Sequence, residues 1–165
     1  MVPGVFSCFW QGSIKLTKNT INAMNKKLLL FITRIAMGWI MLYAGLVKIF
    51  DSGWSATGYL ANAETFPGFY NWFLRPNILP VTNFLNEWGL TLLGVSLILG
   101  VMVKYSGVLG ALLMLLYYFP VLEFPNIGLH SYIIDDHIIY ALVLLLFSAY
   151  RAGDYWGLDS WWKSR

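Results

Sequence analysis

Cysteine is almost absent from this chain of 165 residues, in which Cys8 is the only one. A single cysteine excludes an intrachain disulfide, a CxxC redox pair and a thiolate metal cluster built by this chain alone. The sequence also contains no glycine-rich nucleotide-binding loop, no CxxCH haem-attachment motif and no serine hydrolase elbow. Any redox chemistry in this protein therefore uses groups other than its own thiols.

Charge is scarce as well. Charged residues make up 12% of the chain, whereas 58% of the residues are hydrophobic and 18% are aromatic. An average soluble domain carries about 25% charged residues, so this composition predicts an integral membrane protein. The net charge of +3 lies mostly outside the apolar runs and is not interleaved with aromatic residues. We therefore expect contact with anionic lipid of the bilayer, and no binding of nucleic acid.

Four apolar runs predict four membrane-spanning helices: Leu28 to Val47, Val81 to Val103, Val108 to Leu122 and Ile138 to Ala149. The first run has twenty residues, enough at 1.5 Å per residue to cross a hydrocarbon core of about 30 Å. Two of the runs each contain a stripe of residues with helical spacing. In the first run the stripe is Arg34, Gly38, Met41, Gly45 and Lys48, and in the second run it is Glu87, Thr91, Gly94 and Ile98. Such stripes of small and polar residues predict faces that pack inside a bundle.

The segments outside these runs have distinct compositions. Residues 49–79 are rich in aromatic residues, glycine and proline. We interpret them as short interfacial helices on the outer leaflet, and a lid over the bundle is a further interpretation. Residues 1–23 are too mixed to span a membrane and are expected to be a cytoplasmic tail. Met24 begins MNKKLLLF and is a candidate for the natural initiator.

The basic residues predict the orientation. Most of them fall on one side of the four runs, namely Lys15, Lys18, Lys26, Lys27, Lys104, Arg151, Lys163 and Arg165. Only Lys48 and Arg75 fall on the other side. Because basic loops stay in the cytoplasm, both termini are expected there. The predicted fold is an all-α, multi-pass four-helix bundle in the cell membrane, N-in and C-in, with a long aromatic connection between helices 1 and 2.

Polar side chains near the predicted outer ends form the candidate site. Counted from that boundary, Glu87 lies about 9 Å deep, His137 about 6 Å, Asp136 about 4 to 5 Å, and Lys48 at the boundary itself. Ionisable groups in a membrane are costly and therefore indicate function. Arg34 lies about 9 Å from the inner boundary, so a direct pair with Glu87 would require a tilted helix.

Several roles for these groups stay open. Asp135 and Asp136 could cap the fourth helix, and Lys48 could extend to the headgroups. Arg34 and Lys48 could bind a small anion or take part in a structural ion pair. No metal site is predicted, because the spacing of the potential ligands Glu123, His130, Asp135, Asp136 and His137 matches no defined motif.

An acid, an imidazole and a cation among aromatic residues suit proton exchange with a lipid-soluble redox carrier such as a quinone. Glu87, Asp136 and His137 are the candidates for this proton transfer. The candidates for binding the quinone or an anionic substrate are Arg34, Lys48, Trp88 and Asp135. We expect a quinone as electron acceptor and no tightly bound cofactor.

Four segments between residues 28 and 160 follow in a characteristic order: Arg34 with YAGLVKIF, then NEWGLTLLGVSLILGVMVKYSG, HSYIIDDHIIYALVLLL and RAGDYWGLDSWW. This succession resembles the DoxX and DoxD family of small four-helix membrane proteins, and it places residues 24–165 in one such domain. The resemblance implies the large membrane subunit of a thiosulfate:quinone oxidoreductase, which forms tetrathionate while it reduces quinone.

Other relatives look like membrane scaffolds of redox-protective complexes, which is the alternative function. The chain lacks a second, small DoxA-like domain, so the enzyme function implies a DoxA-like or other partner subunit. A homo-oligomer is a further expectation, and a small transporter or channel is a third class of function.

Overall fold

The computed structural model describes the backbone of residues 4–127 and 131–163, and the side chains of residues 24–127 and 132–161. The described chain is mostly helical, as predicted. Its α-helices are α1 Gly4–Phe50, α2 Thr57–Ala61, α3 Pro67–Phe73, α4 Leu79–Leu99, α5 Val103–Tyr118, α6 Asp136–Ala149 and α7 Leu158–Lys163. Short 3-10 helices cover Phe119–Val121 and Ala152–Asp154.

A small antiparallel sheet, which was not predicted, joins α5 to α6. It contains Leu122–Glu123 (β1), Asn126–Ile127 (β2) and Ser131–Tyr132 (β3), in the order β1-β2-β3. Leu122 pairs with Ile127, and Ile127 pairs with Ser131. The sheet shortens the path between the two helices and sets the position at which α6 begins.

The long helices pack as two close pairs, α1 with α4 and α5 with α6. Two glycines allow α1 and α4 to pack closely against each other. A Cβ added at Gly94 would lie 2.6 Å from the Cα of Leu42, and one added at Gly45 would lie 2.6 Å from the backbone nitrogen of Thr91. Both distances are too short for any side chain, so the two predicted stripes do face the bundle. Helices α4 and α5 contact each other much less, which leaves a groove between them.

The turn between α4 and α5 differs from the prediction, which placed it at residues 104–107. Helix α4 ends at Gly100, whose φ of 69° is left-handed, and α5 begins at Val103. The Asp159 carboxylate accepts hydrogen bonds from the backbone nitrogens of Met102, at 2.7 Å, and Val103, at 3.2 Å. The predicted limits were wrong because the apolar run continues through the turn and the residue that caps α5 lies far along the chain.

Two described helical stretches are long and apolar enough to cross a membrane, Met24–Phe50 and Val103–Val121. Helix α4 has 21 residues and thus sufficient length, but it contains polar residues such as Asn86 and Glu87. Helix α6 is a shorter apolar helix of 14 residues, which corresponds to about 21 Å. The apolar helices and their lengths indicate a membrane protein.

The predicted short helices of residues 49–79 are present as α2 and α3. They form a second small core of Ala56, Leu60, Ala63 and Tyr70. Two side chains bind this connection to the end of α5: the Tyr59 hydroxyl donates to the Tyr117 carbonyl, and the Tyr70 hydroxyl donates to the Leu116 carbonyl at 3.1 Å. The Thr65 hydroxyl donates to the Leu122 carbonyl of β1 at 2.6 Å. The connection therefore covers one end of the bundle.

Gly94→Ala tests whether contact between α1 and α4 sets the stability of the bundle. We expect it to lower the free energy of unfolding by about 1–3 kcal/mol, because the new methyl group overlaps the Leu42 backbone. The measurement is thermal unfolding in detergent. Gly89→Ala is the matched control on the same helix, since its Cβ would lie 4.0 Å from the nearest side-chain atom. Equal melting temperatures for the two variants would contradict the expectation.

Candidate functional site

A cavity of about 430 Å³ lies where α1, α4, α5 and α6 meet the connection. Each of these helices contributes polar groups to its wall, among them Lys48 of α1, Asn86 of α4, Tyr117 of α5 and His137 of α6. Aromatic side chains of the connection, among them Trp54, complete the wall. We call this end of the bundle the Lys48 end. A mostly apolar cavity with a few converging polar groups is the usual form of a small-molecule site.

Lys48 is the one lysine or arginine among the described residues that line this cavity. Its ammonium donates hydrogen bonds to Oδ1 of Asn86 at 3.0 Å and to the hydroxyl of Tyr117 at 3.1 Å. It also lies 5.0 Å from the ring centroids of Trp54 and Tyr117. No carboxylate of the described residues is in ion-pair contact with it. An ammonium has three hydrogens, so one of them remains for a ligand with an acceptor oxygen.

Asp135 and His137 form a pair at the start of α6. The Asp135 carboxylate caps the helix by accepting from the Ile138 backbone nitrogen at 3.2 Å, and it lies 2.6 Å from Nδ1 of His137. We assign the hydrogen to Nδ1, because a carboxylate only accepts, and Nε2 then stays open. The His137 ring lies beside that of Tyr117, with 5.8 Å between the centroids. Asp135 thus both caps α6 and orients the imidazole.

The phenols of Tyr59 and Tyr70 support the other side of the cavity. Burial raises the pKa of Tyr59 above its usual value, and the nearby charge of Asp135 raises it further. Burial also raises the pKa of Tyr70. Both hydroxyls therefore stay protonated and keep donating to the carbonyls of α5. They hold the connection in place and are not proton carriers at neutral pH.

The structure brings together three of the predicted site residues, Lys48, Asp135 and His137. Glu87 is half-buried and does not line the cavity, although it follows Asn86, which does. Asp136 is exposed in the first turn of α6. Trp88 is 44% exposed and lies beside Phe84 on the outer face of α4. His130, named above as a potential metal ligand, lies outside the described residues.

Sequence reasoning missed Asn86 and Tyr117 as site residues. Asn86 precedes the residue on the predicted α4 stripe and therefore points about 100° away from it, towards α5. Tyr117 belongs to an aromatic pair at the end of an apolar run, which resembles an ordinary interfacial anchor. The signal that could have found both is Lys48 itself, since a half-buried ammonium needs hydrogen-bond acceptors, and Asn86 and Tyr117 are neutral groups near the same end of the bundle.

Arg34 lies at the opposite end of α1, fourteen residues and about 21 Å from Lys48. Its side chain is fully buried, and it donates to the carbonyls of Ala152 at 2.9 Å and Trp156 at 3.4 Å. The guanidinium also stands 5.3 Å from the Phe31 ring centroid. Arg34 thus holds the segment after α6 and makes no contact with Glu87. We call this end of the bundle the Arg34 end.

Arg34→Lys tests this structural role. Lysine keeps the charge but cannot reach two carbonyls with fixed geometry, so one hydrogen bond from a charged donor is lost. We expect the free energy of unfolding to fall by about 1.5–3 kcal/mol. Thermal unfolding in detergent measures it, with the exposed Arg75→Lys as control. An unchanged melting temperature in Arg34→Lys would show that the carbonyl contacts contribute little.

Comparison with known proteins identifies the family of this chain. The sequence model of the DoxX family matches residues 29–122, which is more than half of the chain. The match includes Lys48, Asn86 and Tyr117 and ends before Asp135 and His137. No curated protein and no solved structure matches the chain. From the matched residues and the apolar helices that contain them, we conclude that this chain belongs to the DoxX family of membrane proteins.

Proposed function

We propose that the protein crosses the membrane with four helices, α1, α4, α5 and α6, and that both termini are cytoplasmic. The distribution of charge supports this arrangement. Lys104 and Arg151 lie at the Arg34 end, on the same side as Lys26 and Lys27 at the start of the apolar part of α1. By the positive-inside rule, the Arg34 end is cytoplasmic and the Lys48 end faces outward. The 3-10 helix and loop after α6 extend that crossing beyond its 14 residues.

The cavity at the Lys48 end binds a quinone, and the protein is the membrane subunit of a quinone-linked oxidoreductase. The observation that carries this proposal is Lys48, a half-buried cation that forms no ion pair with a described carboxylate and lines the same aromatic cavity as His137. A neutral ligand with carbonyl oxygens can accept from this ammonium and lie flat against aromatic walls. A quinone has both properties, and it reaches such a cavity from the bilayer.

The chemistry follows from these two groups. Reduction of a quinone adds two electrons and two protons, and negative charge develops on its oxygens as electrons arrive. The Lys48 ammonium stabilises that charge. In its protonated form His137 donates from Nε2 to the quinone oxygen, while Asp135 stabilises the imidazolium. Water at the exposed start of α6 then restores the proton.

Thiosulfate is the proposed electron donor, as in the related oxidoreductases. Two thiosulfate ions form one S–S bond and give tetrathionate with two electrons, which reduce one quinone with uptake of two protons. Among the described residues, Lys48 is the one lysine or arginine that lines the cavity, and the proposal therefore assigns the thiosulfate site to a partner subunit. Glu87 and Asp136 remain proposed proton carriers on the path between solvent and the cavity.

A scaffold in a redox complex is the second candidate function, and the surface of the connection favours it. Phe66, Phe69 and Trp72 of this segment are 63%, 52% and 46% exposed. Phe69 and Trp72 both pack edge-on against Phe73, so these rings form one continuous aromatic surface. Such a surface suits either the headgroup layer or an extracytoplasmic partner.

Quinone binding can be measured without a partner subunit. The full chain in nanodiscs is titrated with a short-chain quinone, and the quenching of tryptophan fluorescence reports binding next to Trp54. We expect Lys48→Met to raise the Kd about tenfold or more, because a hydrogen bond from a charged donor is lost. Arg75→Gln removes an exposed cation of the same side and serves as control.

Turnover separates the two candidate functions. Membranes that contain the chain and its partner are assayed for thiosulfate-dependent reduction of the quinone analogue, with His137→Ala alongside. We expect activity in the parent and its collapse in the variant at equal protein level. Loss of turnover with intact quinone binding in Glu87→Gln or Asp136→Asn would support their proton-carrying role. Absence of quinone binding in the parent chain would contradict the enzyme function and favour the scaffold.

A further inference from the structure

A second concave surface of the described residues is the groove between α4 and α5. It encloses about 590 Å³, and hydrocarbon side chains form most of its wall, with Leu92, Leu99 and Leu109 among them. These three leucines are 50–67% exposed. The two serines in the wall satisfy each other, because their hydroxyls lie 2.8 Å apart and Ser96 also donates to the Val101 carbonyl at 2.5 Å. The groove therefore offers an apolar ligand a mostly hydrocarbon surface, and it opens towards the side of the bundle.

The length of the groove matches one leaflet of a bilayer. On α4 it runs over the eleven residues from Gly89 to Leu99, a rise of about 15 Å, and on the other side from Met102, just before α5, to Leu113. The hydrocarbon core of a bilayer is about 30 Å thick. A helix from a second copy would need a surface over that whole depth, whereas a single acyl chain needs only half of it. The groove starts at the Arg34 end, so it lies in the leaflet on that side.

A positive charge lies where the groove meets that end. The Lys104 ammonium stands 5.9 Å from the ring centroid of Tyr105, which lines the groove and is 62% exposed. Lys104 is itself exposed and is in no ion pair with a described carboxylate. The backbone nitrogens at the start of α5 already donate to the Asp159 carboxylate, so they are not available to a second anion. A headgroup phosphate near the groove would therefore be held by the Lys104 ammonium.

We propose that the α4–α5 groove binds one anionic phospholipid of the surrounding bilayer. One acyl chain fills the groove, and the phosphate lies beside Lys104. The lipid completes the packing between the two helix pairs at the place where the protein's own side chains leave it open. This inference does not depend on quinone binding, since the groove runs from Gly89 towards the Arg34 end, whereas the proposed quinone cavity lies at the Lys48 end, and the two share only Leu113.

The test is native mass spectrometry of the full chain after reconstitution with equal amounts of phosphatidylglycerol and phosphatidylcholine that carry the same acyl chains. We expect the protein to retain one phosphatidylglycerol molecule in preference to phosphatidylcholine. A single lysine near an anionic lipid changes affinity about fivefold, so Lys104→Gln should reduce the preference by about that factor. Lys26→Gln, which removes another exposed lysine from the same side, should leave the preference unchanged.

A second variant tests the groove itself. Gly89 lies in its wall with open space before it, so Gly89→Leu should fill the groove and lower retention of both lipids without unfolding the chain. Equal retention of the two lipids by the parent chain would overturn the proposal. So would unchanged preference in Lys104→Gln, or retention in Gly89→Leu equal to that of the parent. A dimer that carries no lipid would identify a second copy as the occupant instead.

Discussion

The buried guanidinium of Arg34 sets the constraint on which the bundle depends. A cation taken out of water costs several kcal/mol unless polar groups surround it, and here the carbonyls of Ala152 and Trp156 supply them. These carbonyls belong to the segment after α6, so satisfying the charge requires that segment to fold back onto α1. Space around the guanidinium is equally tight, since a Cβ at Gly157 would lie 2.6 Å from Nη1.

The same segment then fixes the turn between α4 and α5. Asp159 lies two residues after Gly157, the glycine beside Arg34, and its carboxylate caps α5 through Met102 and Val103. The negative charge of Asp159 also stabilises the positive charge of Arg34. At this end of the bundle the protein's own backbone packs closely around the guanidinium. The opposite end has a cation of the same helix, Lys48, that is held by neutral acceptors and faces a cavity. The difference between the two ends lies in what surrounds each cation.

Much of this arrangement could be predicted from periodicity. The three- and four-residue spacing of Gly45 and Gly94 placed both on packed faces, because helix geometry alone decides which residues share a side. Depth counting correctly separated Arg34 from the outer residues and placed Lys48 with His137. Depth counting could not exclude Glu87 from the cavity, because depth does not give the rotation around the helix axis. From one residue to the next, the direction of the side chain changes by about 100°. The α4–α5 turn escaped prediction because the residue that caps α5 is distant in sequence.

The central claim is that the quinone site lies at the Lys48 end and nowhere else on the bundle. Photolabelling of the full chain in membranes with an azido-quinone, followed by peptide mapping, tests it most directly. The account predicts that the label falls on the connection near Trp54 and Tyr59 or on α5 near Tyr117, and that excess unlabelled quinone prevents it. Label confined to the Arg34 end or to the α4–α5 groove would contradict the account.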